Sequence, residues 1–240
     1  MKHKIITDES ILKDFIDWLP DLESTEKFYV SLFARKKYDE SLQSTASDKM
    51  QLKRLLCNKE NIIHKLRQLE IEEGLYLLKD RVATQKSLAV YITPNPRCMV
   101  KANKDMLLRL AKAVCNQNFF HNIHAEAISC VQRAKSYAHV VDFDIDDKTI
   151  DLTPMQKILH KDCYKILETR GGYHIMVYPK LATEYNRMLN FGTDEYPYNW
   201  HKAITSTFPC DITGDQLIPI PGCTQGEFTP KFMELWTNMY

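Results

Sequence analysis

The chain has 240 residues and a mass of 28.1 kDa, enough for one large domain or two small ones with a hydrophobic core. Its formal net charge is +1, which excludes a global polycation, so any nucleic-acid-binding surface must be a local patch. Because its seven cysteines form no CxxC pair and no apolar run approaches the ~20 residues of a membrane span, we expect a cytoplasmic protein with reduced thiols and no membrane partner.

The first third of the chain predicts a helix, a strand and a second helix. Residues 10–18 have helical spacing, with Ser10 as the N-cap, and residues 27–34 are rich in the aromatic and β-branched residues of a strand. This strand runs directly into Arg35, Lys36 and Lys37. Three cations at a strand end can hold a phosphate or a nucleic-acid backbone, and a solvated strand terminus is the alternative. Residues 48–73 have the apolar spacing of a long amphipathic helix, or of two helices in succession.

The next stretch is the most basic in the sequence. Residues 86–93 predict a strand, and the Pro-Asn-Pro sequence after it must be extended or turning. Arg97 and Lys101 follow and lead into residues 104–115, which have helical spacing and further cations. The stretch is consistent with a template-binding face and equally with an ordinary solvated helix face.

A run of aspartates at residues 142–147 carries the strongest chemical signal. The preceding residues are apolar and β-branched, and carboxylates then alternate with apolar residues, a pattern that predicts a strand. Asp142, Asp144 and Asp146 would share one face of it. Like carboxylates raise one another's pKa, and a divalent cation removes that penalty. The alternative is a strand edge charged to prevent aggregation.

A hairpin is predicted shortly after the aspartates. Residues 164–169 and 173–178 read as strands, and Arg170, Gly171 and Gly172 lie between them, as in a tight turn. Glycine also allows a backbone to come close to a ligand. Arg170 before the turn and His174 after it are placed to contact the same group.

The C-terminal third is acidic and ends in another carboxylate motif. Residues 153–161, 181–189 and 200–206 predict helices. Asp211 then precedes an apolar stretch that closes with Pro221 and Gly222. We expect this carboxylate to join those of the aspartate strand around a cation.

Three pieces in this order resemble the archaeo-eukaryotic primase superfamily, in particular the compact primase-polymerases of phages, plasmids and mobile elements. The pieces are the Asp142–Asp144 motif on a strand, the Gly172–His174 motif on a hairpin, and Asp211 followed by the Pro-Gly turn. The resemblance covers residues 86–240. It implies an α+β fold in two lobes, an N-terminal α/β lobe at 1–85 and a lobe at 86–240 with flanking helices and an antiparallel sheet like that of an RNA-recognition motif. The active site would lie between them.

The resemblance also assigns roles to residues. It makes Asp142, Asp144 and Asp211 the catalytic ligands of two Mg²⁺ or Mn²⁺ ions and makes His174 a ligand of the nucleotide phosphates. Gly172 stands where the family usually has a small hydroxyl residue, and Gln216 and Pro219 stand where many relatives carry arginines. Other cations of this chain would therefore bind the nucleotide phosphates, namely Arg170, Lys180 or the Arg35–Lys37 run.

The expected activity is that of a DNA primase or primase-polymerase in DNA replication. Such an enzyme joins NTPs or dNTPs on a single-stranded DNA template, and any replicative helicase would be a separate chain. The residues expected to contact nucleic acid are Arg35, Lys36, Lys37, Arg97 and Lys101. Two alternatives remain: a Mg²⁺-dependent nuclease, which uses the same carboxylate chemistry, and a catalytically lapsed subunit that binds nucleic acid or regulates another protein.

Overall fold

The fold is α+β, with two five-stranded antiparallel sheets and helices around them. It is seen in a computed structural model that describes residues 1–42, 47–78, 81–116, 122–190, 199–213, 215 and 217–235. The α+β class predicted from the sequence is thus confirmed. Gln216, one of the positions compared with the family, lies outside the described residues.

The helices and strands are numbered in chain order. The α-helices are α1 (Glu9–Trp18), α2 (Ile62–Arg67), α3 (Met99–Cys115), α4 (Ile123–Arg133), α5 (Met155–Ile158), α6 (Pro179–Asn190) and α7 (Trp200–Thr207). The strands are β1 (Glu26–Arg35), β2 (Lys49–Cys57), β3 (Leu77–Leu78), β4 (Arg81–Val82), β5 (Leu88–Ile92), β6 (Arg97–Cys98), β7 (Val141–Ile145), β8 (Tyr164–Glu168), β9 (Tyr173–Val177), β10 (Asp211–Thr213), β11 (Ile218–Pro219) and β12 (Lys231–Met233). Short 3₁₀ turns lie at Lys36–Tyr38, Glu40–Leu42, Gln85–Ser87 and Lys161–Cys163.

The first sheet is built around β1. Its order is β11-β5-β1-β2, and β6 pairs with the beginning of β1. Almost every residue of β1 is buried, as expected of a strand with neighbours on both edges and packing on both faces. The sheet takes strands from both sides of residue 85, because β1 of the predicted unit 1–85 pairs with β5 and β6 of the predicted unit 86–240.

The predicted helix at 48–73 is wrong over most of its length. Residues Lys49–Cys57 form β2, which pairs with β1 over its whole length with a bulge opposite Leu32 and Phe33. Only Ile62–Arg67 is helical. The apolar residues of β2 fit helical spacing, but the free edge of β1 requires a strand, and tertiary pairing overrides local propensity.

The second sheet has the order β10-β7-β9-β8-β12 and contains the predicted aspartate strand and hairpin. One face carries Phe143, Ile145 and Ile175, which pack in a core with α5, α6 and α7. On the other face, Leu167 and Met176 belong to the same buried core as the apolar residues of the first sheet. The two sheets therefore share a core along part of their contact.

The N-terminal residues are joined to a segment 215 residues later. The backbone N–H of Thr7 donates to the carbonyl of Gly222, and the N–H of Thr224 donates to the carbonyl of Ile5, both at 2.9 Å. Gly222 has φ +77°, and a Cβ there would lie 2.4 Å from the Asp8 carbonyl oxygen, so this contact requires glycine.

Helix α1 starts from Asp8. The Asp8 carboxylate accepts hydrogen bonds from the backbone N–H groups of Ser10 at 2.9 Å and Ile11 at 3.1 Å, which is the usual N-cap arrangement. The prediction of Ser10 as the N-cap was therefore wrong by two positions.

Candidate functional site

The strand register gathers four predicted site residues on one face of the second sheet. Directly opposed residues of an antiparallel pair point to the same face. Asp144 of β7 lies opposite His174 of β9 on one side and opposite Asp211 of β10 on the other. Asp142, two residues before Asp144, points to the same face. Three separate stretches of sequence thus meet in one row of side chains.

Asp142 and His174 form a buried hydrogen-bonded pair. The His174 Nδ1 lies 2.9 Å and 3.0 Å from the two carboxylate oxygens of Asp142, and both residues are more than nine-tenths buried. On the other side of the ring, Nε2 lies 3.6 Å from Asp144 Oδ1. Burial acts to lower the pKa of His174, but the charges of Asp142 and Asp144 outweigh it and the pKa is raised. The ring is therefore held as a proton donor between two carboxylates.

The negative charge of Asp144 is disfavoured by its surroundings, and its pKa is raised. Burial raises its pKa, and the charges of Asp142 and Asp146 raise it further, while His174 and Lys49 act in the opposite direction. Its side chain keeps 27% of its surface exposed, so ligands can reach it. A divalent cation beside this group would remove the repulsion.

A small cavity of about 110 Å³ lies in front of Asp144, between the two sheets. The second sheet and its turns contribute Asp144, Asp146, Thr169, Gly171 and His174, and the first sheet and its loops contribute Arg35, Lys37, Tyr38, Lys49, Tyr91, Leu217, Pro219 and Gln225. Carboxylates and His174 therefore form one wall, and three cations form the other. The volume is below the ~300–1,000 Å³ typical of small-molecule sites, so the cavity accommodates only the charged part of a larger ligand.

The cationic wall carries more positive than negative charge. Arg35 is buried and forms a salt bridge with Asp48 at 2.7 Å, and its Nη1 donates to the Tyr91 hydroxyl at 2.5 Å. Asp48 also accepts from the backbone N–H of Lys37 at 3.0 Å. Burial lowers the pKa of Lys49, and the nearby charges of Arg35 and Lys37 lower it further. An anionic ligand would relieve the repulsion among these cations. Lys36 lies in the same 3₁₀ turn but does not line the cavity.

The glycines of the hairpin have different environments. A Cβ on Gly172 would lie 1.8 Å from the carbonyl oxygen of Ile145, so this glycine lets the turn pack against the end of β7. Gly171 borders the cavity, and a Cβ there would lie 3.7 Å from the Asp146 carboxylate. The predicted nucleotide contact at Gly172 thus falls on a residue whose close approach is to the protein's own backbone.

Arg170 lies behind the cavity rather than in its wall. Its guanidinium stacks on the Tyr38 ring at 4.5 Å, and the buried Nη1 has no hydrogen-bond partner among the described residues. Its backbone N–H donates to Gln225 at 2.7 Å, and Gln225 and Tyr38 both line the cavity. Arg170 therefore supports two lining residues.

Three other predicted ligands of phosphate or nucleic acid lie away from the cavity. Arg97 is buried and forms a salt bridge with Asp215 at 2.5 Å. Lys101 donates to the carbonyls of Lys135 and Ser136 at 3.2 and 3.3 Å, at the end of α4. Lys180 is exposed at the start of α6, beyond the end of β9 opposite to His174. For these residues the structure indicates packing and solvated positions in place of a role in the cavity.

The sequence interpretation missed two charged residues of the cavity. The predicted strand places Asp146 on the face of Asp142 and Asp144, but the resemblance gives it no role, and it lines the cavity. In the structure only Asp147 has a turn role, because it accepts hydrogen bonds from the backbone and hydroxyl of Thr149 at 2.8 and 2.7 Å. The alternation of the aspartate run was the available signal for Asp146. Lys49 could not be found while residues 48–73 were read as a helix.

The carboxylates predicted to bind metal are only partly assembled. Within the described ranges, no group of three or more His, Cys, Asp or Glu side chains is arranged to hold a metal ion, and the carboxylate of Asp142 is engaged by His174. Mg²⁺ is, however, often bound through one or two carboxylates, with waters and substrate phosphates completing its shell. Asp144 and Asp146 face the cavity, and Asp211 is next to Asp144. These hard oxygen donors fit Mg²⁺ or Mn²⁺, and metal binding stays a prediction.

Comparisons with known proteins leave the site to be interpreted from its geometry. No protein-family model, curated protein or solved structure matches the chain. In the part of the chain that the structure describes, no helix is long and apolar enough to cross a membrane.

Proposed function

We propose that this protein is a template-directed nucleotidyltransferase, a DNA primase or primase-polymerase that joins NTPs or dNTPs on a single-stranded DNA template. The observation that carries the proposal is the cavity between the two sheets. Asp144, Asp146 and His174 line one wall, and Lys37 and Lys49 line the other. Carboxylates facing cations across a small polar cavity suit a metal-bound polyphosphate, which carries both kinds of charge.

The acidic wall supplies the donors for divalent cations. Asp144 and Asp146 would hold the ions, with Asp211 as the neighbouring carboxylate on β10. Divalent ions held there would supply the chemistry that lowers the pKa of an attacking 3′-hydroxyl and stabilises a pyrophosphate leaving group. Asp142 acts indirectly on the ligand, because its carboxylate holds the His174 ring in place.

The remaining residues act on the triphosphate. Lys37 and Lys49 neutralise its oxygens, and the Nε2–H of His174 donates to one of them. Arg35 is held by Asp48 and Tyr91 and keeps the cationic wall in position. The base and sugar extend out of the cavity toward the template, because the volume is too small for a whole nucleotide.

The proposed architecture is the two-lobed one of the primase superfamily. Its support is the presence of two five-stranded sheets with the cavity at their junction. In the second sheet the aspartate strand β7 pairs with the central strand β9, which carries His174. A replicative helicase acting with this protein would be a separate chain.

The test is a synthesis assay with a matched control. Single-stranded DNA is incubated with labelled NTPs or dNTPs and Mn²⁺, using wild type, the double variant Asp144→Asn and Asp146→Asn, and the control Asp147→Asn. We expect wild type and control to make extended products and the double variant to lose about 10²-fold or more of the rate. The control removes an equivalent charge one residue from the cavity.

Two outcomes would contradict the proposal. One is that the wild type makes no product with either nucleotide set, and the other is that the double variant is as active as the control. Degradation of the template in a metal-dependent way, lost in the double variant, would assign the same site to a nuclease.

A further inference from the structure

A second, larger depression lies on the outer side of the first sheet. It has a volume of about 800 Å³ and runs between β2 and α4. The β2 side contributes residues 51–56, and the α4 side contributes His124, Ala127, Ile128 and Val131. This volume is at the upper end of the range for ligand sites, and no residue of the 110 Å³ cavity lines it.

The charge in this groove is of one sign. Its titratable lining residues include Lys53, Arg54 and Lys65, and no aspartate or glutamate is among the described residues that line it. None of the three cations forms a salt bridge with a described residue; Arg54 donates instead to the side chain of Gln51. Lys53 and Arg54 are exposed, so their charges are available to an anionic partner.

The apolar part of the groove is also exposed to a ligand. Leu52, Leu55 and Ile128 are half-buried and line the same space as the cations, and Leu56 keeps 39% of its surface exposed. A ligand that alternates anionic groups with flat apolar faces matches this lining. Single-stranded nucleic acid has that character, because phosphates alternate with bases that have lost their pairing partners.

Strand β2 connects the groove to the cavity. Lys49 at its beginning lines the cavity, and residues 51–56 line the groove. With a rise of about 3.3 Å per residue, the groove begins about 7 Å from Lys49 and extends to about 23 Å from it. One end of a nucleic-acid strand bound along β2 would therefore reach the cavity.

We propose that the groove between β2 and α4 binds single-stranded nucleic acid and guides it toward the cavity. Lys53, Arg54 and Lys65 would contact its phosphates, and Leu56 and Ile128 would contact its bases. That the bound strand serves as a template rests on the proposed function; the binding itself does not. Cations that only protect an exposed edge strand from aggregation would not produce a defined nucleic-acid contact.

The test measures binding of a fluorescein-labelled oligo(dT) by anisotropy. The groove variant combines Lys53→Gln, Arg54→Gln and Lys65→Gln, and the control combines Lys13→Gln, Lys157→Gln and Lys161→Gln, three exposed lysines outside both sites. We expect the groove variant to bind at least about tenfold more weakly and its salt dependence to fall by a slope of about 2, at ~0.7 per phosphate contact. The control should stay within about twofold of wild type.

A second measurement does not depend on the variants. Oligonucleotides carrying 4-thiothymidine are crosslinked to the wild type, and the modified peptides are identified by mass spectrometry. Crosslinks within 51–56 and 124–131 support the proposal. Crosslinks elsewhere, equal affinity of the two triple variants, no binding by wild type, or equal competition by poly-glutamate would overturn it.

The two proposals can fail separately. The variant Asp144→Asn should keep wild-type affinity for oligo(dT), because Asp144 does not line the groove. If wild type synthesises nothing but the groove variant still loses binding, the proposed function fails and the groove assignment stands. If synthesis occurs and the groove variant binds normally, only the groove assignment fails.

Discussion

Asp142 and Asp144 lie two residues apart on one strand, but their electrostatic environments differ. Asp142 is buried against His174, which supplies its counter-charge. Asp144 faces the cavity, and burial and its acidic neighbours raise its pKa. Removing the charge of Asp142 breaks its ion pair with His174. Removing the charge of Asp144 relieves its repulsion with the neighbouring carboxylates.

This difference predicts opposite effects on stability. Asp142→Asn should lower the free energy of unfolding by about 2 kcal/mol, because the buried His174 loses the negative charge that balances it. Asp144→Asn should be neutral or stabilising, by up to ~1 kcal/mol. Urea unfolding at pH 7 measures both. Equal destabilisation by the two variants would show that the Asp142–His174 pair has no special role.

At this scale the sequence predicted part of the site for sound reasons. The period of two in the aspartate run was enough to place Asp142 and Asp144 on one face. It could not show that Asp142 would be engaged by His174, because the pairing register of β7 and β9 is a tertiary property. Arg97 and Lys180 were assigned by charge alone, and charge does not reveal whether a cation is buried in a salt bridge or solvated.

At the scale of elements, local patterns succeeded where they agreed with the tertiary structure. The strands β1, β5, β7, β8 and β9 were predicted because their β-branched and aromatic content matches burial in a sheet. The failure at β2 has the opposite cause, since its leucines fit a helix and only the vacant edge of β1 makes it a strand. Because this segment was predicted to be helical, the positions of Lys49 and the groove cations could not be predicted either.

The hairpin between β8 and β9 provides a test with neighbouring glycines. Gly172→Ala should destabilise the protein by about 3 kcal/mol or more, because its Cβ would overlap the backbone of Ile145. Gly171→Ala should change stability by less than ~1 kcal/mol, because its Cβ meets nothing closer than 3.7 Å. Thermal unfolding of both variants compares them, and similar melting temperatures would refute the close approach.

The packing of α1 against the entry to β7 predicts a pH dependence. His139 contacts the rings of Trp18 and Tyr178 at 5.6 and 5.3 Å, and its Nε2 is buried without a partner among the described residues. Burial, followed by the charge of Lys59, lowers the pKa of His139 to about 4. The unfolded chain therefore binds a proton below pH ~6.5 that the folded protein does not bind until pH ~4.

Stability should consequently fall as the pH decreases through this window. His139 should contribute a loss of about 2 kcal/mol between pH 6.5 and 4, allowing for its partial exposure. His139→Phe removes the titrating group and should flatten that part of the profile. Urea unfolding at half-unit pH steps makes the comparison, and parallel profiles for the two proteins would contradict the lowered pKa.

At the scale of the whole molecule, the two sheets depend on one core. Leu167 and Met176 of the second sheet are buried in the same cluster as Phe28 and Leu32 of β1. The cavity lies where the sheets meet, so its two walls are held in register by that shared packing. No local sequence pattern encodes such a junction, because each wall comes from strands distant in sequence.

The shared core predicts that the lobes do not fold separately. A fragment of residues 86–240 lacks β1 and β2, which leaves Leu167 and Met176 uncovered and β5 without its central neighbour. We expect it to show no cooperative thermal transition and poor dispersion of amide NMR signals, in contrast to the full chain. A cooperative transition in the fragment would show that the second sheet is an independent domain.

The contact between the N-terminal residues and Gly222 has a consequence for biosynthesis. Thr7 and its neighbours must wait for a partner 215 residues later, which at 5–20 residues per second takes roughly 10–40 s. For the later part of that time, while the residues between β5 and β11 are made, the edge of β5 that receives β11 stays unpaired. A nascent chain with an open, apolar strand edge is a substrate for chaperones. We therefore expect the yield of folded protein to depend on chaperone supply.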